Sequence, residues 1–165
     1  MHQSLISGVN VSRETIEALE YFAALIEKWT AKINLISKAS RSDLWVRHIL
    51  DSAQLLKICP RNIQNWLDLG SGGGLPGVVV AILAKELIPT LTMTLVESDK
   101  RKSVFLRTAV RELGLNASVL NARIEKLAPM KADVISARAL AELDVLLALA
   151  KPHLTKTTVC LFQKG

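Results

Sequence analysis

The chain has 165 residues, half of them hydrophobic, only 4% aromatic, with a net charge of +6 and a pI near 9.6. That size and apolar content suit a single domain, residues 1–165, and the scarcity of aromatics argues against a stacking platform for single-stranded nucleic acid. Cys59 and Cys160, with no C-x-x-C and no histidine cluster, point to neither a zinc site nor a disulfide framework; the absence of a leader or a membrane-length apolar run predicts a cytoplasmic protein.

Taken in order, Val11 to Lys32 reads as an amphipathic helix capped by Ser12, with Ile16, Leu19, Phe22, Ala23, Ile26, Trp29 and Ile33 on one face. The segment from Lys32 to Lys38 alternates apolar and polar residues but is too short to classify. A second helix is predicted from Ser42-Asp43 to about Lys57, burying Trp45, Ile49, Ala53 and Leu56. In its middle, Arg47 and Asp51 stand at i,i+4, where a helix-surface ion pair is the plain reading and a place for His48 on a ligand rim the sharper one. Residues 1–60 thus form a helical extension expected to pack on a core spanning 61–165.

From Trp66 the apolar period alternates between strand and helix. Strands are predicted at Trp66 to Leu69, Leu91 to Glu97, Ala117 to Leu120, Ala132 to Ser136 and Thr157 to Phe162. The intervening helices are Pro76 to Leu87, Lys100 to Leu113 ended by Gly114, a short one near Ile124 to Leu127, and Ala141 to Ala150. Such alternation implies a mostly parallel sheet of about five strands with helices on both faces, an α/β Rossmann-like fold. Ligands bind these sheets beyond the carboxyl ends of the strands, where strand order reverses.

The stretch Asn65 to Val80, NWLDLGSGGGLPGVVV, lies at that place. Gly70, Gly72, Gly73 and Gly74 permit a turn of positive φ with no side chain between backbone and ligand. No lysine occurs from Asn65 to Ala84, which removes a P-loop. Gly72, Gly74 and Gly77 satisfy G-x-G-x-x-G, so a dinucleotide remains open on spacing. Asp68 beside the glycines argues instead for a ligand with an ammonium and a sulfonium, such as S-adenosylmethionine. Glu97, ending the second strand, can accept both hydroxyls of a ribose in either case. Asn121 to Glu125 should lie along an adenine edge. Arg138, after the fourth strand, stands nearest the transferred group, or else pairs with Glu142 at i,i+4.

The positive charge is unevenly spread. Six basic residues face two acids between Thr30 and Arg61, eight face three between Ser98 and Lys131, and the last fifteen residues hold three lysines and no acid. A nearly neutral pocket rimmed by a surface for an anionic polymer accounts for this, as would ordinary solvated helix faces.

Together these residues resemble the bacterial 16S rRNA guanine-N7 methyltransferases known as RsmG or GidB. The resemblance is carried by Asn34-Leu35, the string RHILDS from Arg47 to Ser52, LDLGSGGGLPG from Leu67 to Gly77, Arg123-Ile124-Glu125, Ser136-Ala137-Arg138-Ala139 and Lys164-Gly165. It implies a class I S-adenosylmethionine-dependent methyltransferase acting on 16S rRNA of the small ribosomal subunit, with no metal. By the same resemblance, Asp68, Gly70, Gly72, Gly74 and Leu75 hold the methionine part of the cofactor, Glu97 the ribose, and Ile124 with Glu125 the adenine. Arg138 lines the methyl-transfer site as cofactor contact and catalytic residue, and Arg47, His48, Arg123 and Lys164 meet RNA. Family members carry about two further strands after the Lys-Gly pair, so a fifth-strand edge open to self-association is expected. A nucleotide-dependent oxidoreductase and a non-catalytic RNA-binding remnant are the competing readings.

Overall fold

A computed structural model describes residues 4–164. It opens with a hairpin that periodicity did not signal, β1 (Ser4–Ile6) against β2 (Val9–Val11), turned by Ser7 and Gly8 at positive φ. Helix α1 (Arg13–Thr30) starts as expected, with the Ser12 hydroxyl accepting from the Thr15 amide. Its buried face is Leu19, Phe22, Leu25 and Ile26. Phe22 stacks on Phe105 with ring centroids 6.2 Å apart, and Trp29 lies 5.5 Å from the same ring.

The predicted second helix is not continuous. A 3-10 stretch, Lys38–Asp43, leads into a wide π-helical turn, Trp45–Leu50, then the short α2 (Asp51–Ala53) and α3 (Leu55–Ile58). The extra residue in a π turn rotates the downstream residues by about 100° relative to an α-helix. The buried set is therefore Leu44, Ile49, Ser52, Ala53 and Leu55, while Trp45 and Leu56 are half-buried.

Five strands form one all-parallel sheet in the order β5-β4-β3-β6-β7: β3 (Asn65–Leu69), β4 (Thr92–Glu97), β5 (Ala117–Asn121), β6 (Val134–Arg138) and β7 (Val159–Gln163). The chain starts in the middle with β3, winds outward to β5, then returns across to β6 and β7. The switch in winding direction falls between β3 and β6. Helices α4 (Gly77–Leu87), α5 (Lys100–Leu113) and α6 (Leu143–Ala150) connect the strands, and α5 ends on Gly114 at φ 58°. Strand β6 runs two residues further than periodicity predicts, so Arg138 is its last residue and does not follow it. Among the described residues β7 pairs on one side only.

The main apolar cluster runs from Ile6 and Val11 through α1 and Ile49 to α4, α5 and Trp66, so the amino-terminal helices and one face of the sheet share it. A smaller cluster on the other face joins Leu67, Leu69, Val96, Ile135 and Ala137 to Leu146 and Ala150 of α6. Cys160 lies half-buried against this second cluster, consistent with a packing thiol. Phe22→Ala should therefore cost roughly 3–5 kcal/mol. In urea, helix and sheet signals should be lost in one coincident transition at lower denaturant.

Candidate functional site

Register decides which side chains meet at the carboxyl ends of the strands. Asp68 stands opposite Ser136, Glu97 opposite Asn121, and Arg138 opposite Gln163. Beyond them opens a cavity of about 770 Å³, floored by the turn after β3. That volume suits a drug-sized ligand.

The turn itself has Gly70, Gly72 and Gly74 at φ 64°, 53° and 83°, while Gly73 is not at positive φ and Pro76 follows a cis peptide bond just before α4. The four glycines therefore do not share one job. Gly72 faces the open cavity: an added Cβ would meet nothing nearer than 3.8 Å. Gly73 packs against the Leu35 carbonyl, and Gly74 faces inward on Val78 and Phe22. Gly74 is thus absent from the cavity wall, contrary to expectation, and its lack of a side chain makes room for α1 and α4 instead. Gly70, Ser71, Gly72, Gly73 and Leu75 line the cavity.

Asp68 corrects a second expectation. Its carboxylate does not stand open beside the glycines; it is fully buried beneath them. Oδ1 accepts a 2.6 Å bond from Ser136 Oγ, which in turn accepts from the Trp66 indole N–H at 2.8 Å. Oδ2 lies against the backbone of Gly77, where any Cβ would collide with Asp68 and Leu95. Burial pushes the carboxyl pKa up to about 6, against the opposing pull of the Ser136 hydrogen bond and of the nearby Ser71 and Gly77 donors; the nearby Glu97 charge adds to the rise. Oδ2 has no hydrogen-bond partner, and the Ser71 hydroxyl donates to the Asp68 carbonyl instead. Asp68 is thus absent from the cavity wall.

Glu97 is where it was expected. Buried to 8% exposure, it accepts the Gly72 amide on Oε1 at 2.8 Å and the Asp99 amide on Oε2 at 2.9 Å. Each carboxylate oxygen still has a lone pair for a ligand hydroxyl. Asn121 donates to the Glu97 and Ser98 carbonyls and so ties β5 to this loop. Ala122, Arg123, Ile124 and Glu125 form the next part of the wall. The Arg123 guanidinium lies 3.6 Å from Glu125, whose pKa is lowered by a backbone hydrogen bond and by that cation.

The opposite wall combines β6 with the π turn. Arg138, its side chain only 11% exposed, donates to the Arg47 carbonyl at 2.8 Å and lies 3.3 Å from Asp51 Oδ2. The pair with Glu142 does not form, because Arg138 is in a strand and Glu142 caps α6, so the two are not one helical turn apart. Nor do Arg47 and Asp51 pair: Arg47 reaches back to Asp43 at 3.3 Å, an exposed contact worth little. His48 lines the cavity, with both ring nitrogens buried and without partners. Burial first, then the Arg138 charge, lower its pKa; Asp51 pulls it back up, and Arg47 adds a smaller lowering. Arg47 and Lys164 lie outside the cavity; Lys164 borders a separate groove with Asp51 and Gln163, and Gly165 lies outside the described residues.

Sequence reasoning assigned no role to several wall residues. Leu35 and Ser37 come from the segment that could not be classified and Ser40 follows it, and the two serine hydroxyls bond each other at 2.8 Å. Lys102 reads in sequence only as part of a basic cluster, Val145 and Leu149 only as residues of a predicted helix, and Leu140 falls in no predicted element. No group of three or more potential metal ligands occurs among the described residues, and no helix there is long and apolar enough to cross a membrane.

A linkage experiment isolates Asp68. Its folded-state pKa is above the unfolded value, so its contribution is most favourable below about pH 4 and declines as pH rises to about 6. The stability of Asp68→Asn relative to the parent should therefore rise by roughly 2–3 kcal/mol from pH 4 to pH 7 in denaturant titrations. A flat difference would contradict this burial.

Comparison with known proteins gives a consistent result. A family model described as "GidB: rRNA small subunit methyltransferase G" matches residues 15–165. A ribosomal RNA small subunit methyltransferase G from Cereibacter sphaeroides is 56% identical over 165 residues, covering all of this chain and 80% of the relative. One from Ruegeria pomeroyi is 52% identical over 157 residues, covering 95% and 76%. Among solved structures, a SAM-dependent methyltransferase from Aquifex aeolicus superposes with a TM-score of 0.57 at 19% identity, covering 85% of this chain and 71% of that one. A coclaurine N-methyltransferase bound to N-methylheliamine and SAH also gives 0.57, at 16% identity, covering 92% and 53%. At such identities these two likenesses establish the Rossmann-like methyltransferase fold alone.

Proposed function

The chain belongs to the rRNA small subunit methyltransferase G family, and on that footing we propose that it uses S-adenosylmethionine to methylate N7 of a guanine in 16S rRNA of the small ribosomal subunit. The observation that carries the reading is the cavity floor. An unobstructed Gly72 lies beside a buried, amide-held Glu97, with an arginine and an unpartnered histidine on the far wall. Together they make a nucleoside seat next to a polar subsite.

The residues fit the cofactor. Glu97 would take the ribose hydroxyls on its remaining lone pairs, Ile124 and Glu125 would border the adenine, and Gly70 to Leu75 would enclose the amino-acid part. Asp68 is then a support beneath the turn, and the ammonium is left to the carbonyls and hydroxyls above it. Gly74 likewise supports by shape. When bound, the cofactor supplies an electrophilic methyl group on a sulfonium.

Guanine N7 has a lone pair and no proton, so the site needs no general base, and its task is alignment. Arg138 serves that alignment without bonding N7 itself, since a donor there would block the lone pair; guanine O6 is the acceptor beside it. Guanine N7 lies in the major groove, which is deep and narrow in A-form RNA, so the base must come from a loop or be flipped out. His48 and Arg123 line the cavity that the base would enter. Arg47 and Lys164, on the surface outside, would meet phosphates. Work on ribosomal RNA fits a cytoplasmic protein.

The direct test supplies purified protein and methyl-labelled cofactor to small subunits lacking the modification, then digests the RNA to nucleosides. Label should appear in 7-methylguanosine. S-adenosylhomocysteine should bind in calorimetry and NADH should not. Binding without methyl incorporation would favour an RNA-binding remnant, and NADH binding the oxidoreductase.

A pH profile adds a second test. Because burial and the neighbouring cations lower the His48 pKa, its ring is neutral at pH 7. The methylation rate should hold as pH falls through the ordinary histidine range and drop only below it. His48→Gln should abolish that acid limb.

A further inference from the structure

We infer that Asp51, itself held by Gln163, is a positioning residue that aims Arg138 at the substrate side of the cavity; the inference rests on the rRNA methyltransferase reading above. Asp51 does not line the cavity, so it can act there only through a neighbour. Its Oδ2 lies 3.3 Å from Arg138 Nη1 and accepts a 3.0 Å bond from Gln163 Nε2. The same amide also donates to the Asp51 carbonyl at 3.0 Å. Two oxygen acceptors fix which end of the Gln163 amide faces Asp51, because the reversed amide would set oxygen against oxygen.

The arrangement draws on three separate elements. Arg138 and Gln163 are register partners at the last position of β6 and β7, joined further by the Ala139 amide donating to the Gln163 carbonyl at 3.1 Å. Asp51 arrives from the helical segment just after the π turn. The Arg47 carbonyl, within that turn, accepts from Arg138 Nη2 at 2.8 Å. The guanidinium is therefore hydrogen-bonded through Nη2 and ion-paired through Nη1, which has no hydrogen-bond partner of its own.

Charge gives the reason for the grip. Methylation at N7 leaves the guanine ring cationic, and the methyl donor is cationic too. A half-buried arginine beside them would oppose both unless a carboxylate balanced it. Burial lowers the Arg138 pKa and Asp51 pulls it back up, which keeps the group charged and in place. Without the carboxylate, the guanidinium would turn toward water and its donors would lose their aim.

Asp51→Asn tests this with little change of shape. The thermal midpoint should stay within about 4 °C and the Kd for S-adenosylhomocysteine within about twofold. The kcat on unmodified small subunits should fall roughly ten- to hundredfold. Asp51→Glu should recover part of that loss, and Gln163→Leu should show a smaller one. In the protein without RNA, the side-chain 15N resonances of Arg138 should be resolved in the parent and averaged by rotation in Asp51→Asn. A kcat within about threefold of the parent, a matching loss of cofactor binding and stability, or unchanged Arg138 resonances would overturn the inference. If the parent itself transfers no methyl group, the functional reading falls, and the resonances alone then decide whether Asp51 positions Arg138.

Discussion

Gly72 donates its amide to Glu97 across 2.8 Å, and that bond joins the loop after β3 to the end of β4. Each by itself is a short stretch of backbone at the end of a strand. Linked, they become a continuous floor, with the second carboxylate oxygen gripping the Asp99 amide and Asp99 capping α5 through the Arg101 and Lys102 amides. A charged acceptor bonded to two backbone donors is stronger than a neutral one, which suits a group that must remain in place when a ligand arrives. Adjacency of β3 and β4 in the parallel sheet makes the bond possible.

Electrostatically the two ends of the cavity are built on opposite plans. Under the floor, Asp68 is sealed from water, with Ser136 and Trp66 in a chain of donors behind it, and burial raises its pKa. On the far wall, Arg138 is partly desolvated but paired with Asp51, and burial lowers the His48 pKa. Cationic character is thus present at the wall in a balanced state. The unbalanced positive charge lies outside, on Lys100, Arg101 and Arg107 of α5 and on Lys126, where an anionic polymer could meet it without disturbing the interior.

Much of the architecture was legible because each strand and helix from Trp66 onward has its own apolar period and its own punctuation. The α5 range was read to the residue, since Asp99 and Gly114 mark its ends chemically. The hairpin was not, because three-residue strands are too short for a period to show. The π turn escaped for a different reason: a helix that gains one residue in a single turn keeps an apolar pattern that still looks helical. At the site, the spacing of the glycines identified the turn, but which glycine faces the ligand depends on packing. Gly74 is spent on Val78 and on Phe22, and Phe22 is far away in the chain. Asp68 was misplaced on similar grounds, since a carboxylate at a strand's end reads as accessible until Ser136 and Gly77 are seen to enclose it. Arg138 was placed at the right end of the right strand, but its partner, Asp51, is distant in sequence and no spacing rule connects them.

The pairing of Arg138 with Gln163 across β6 and β7 has an evolutionary corollary. Side chains alternate between faces along a strand, so sliding β7 by one position would carry Gln163 to the other side and leave the Asp51 carboxylate holding one partner instead of two. The turn before β7 can accordingly drift in length and composition over time, while the parity of positions inside β7 is under much stricter constraint. Insertions and deletions should accumulate between residues 154 and 158 and be purged from 159 to 163.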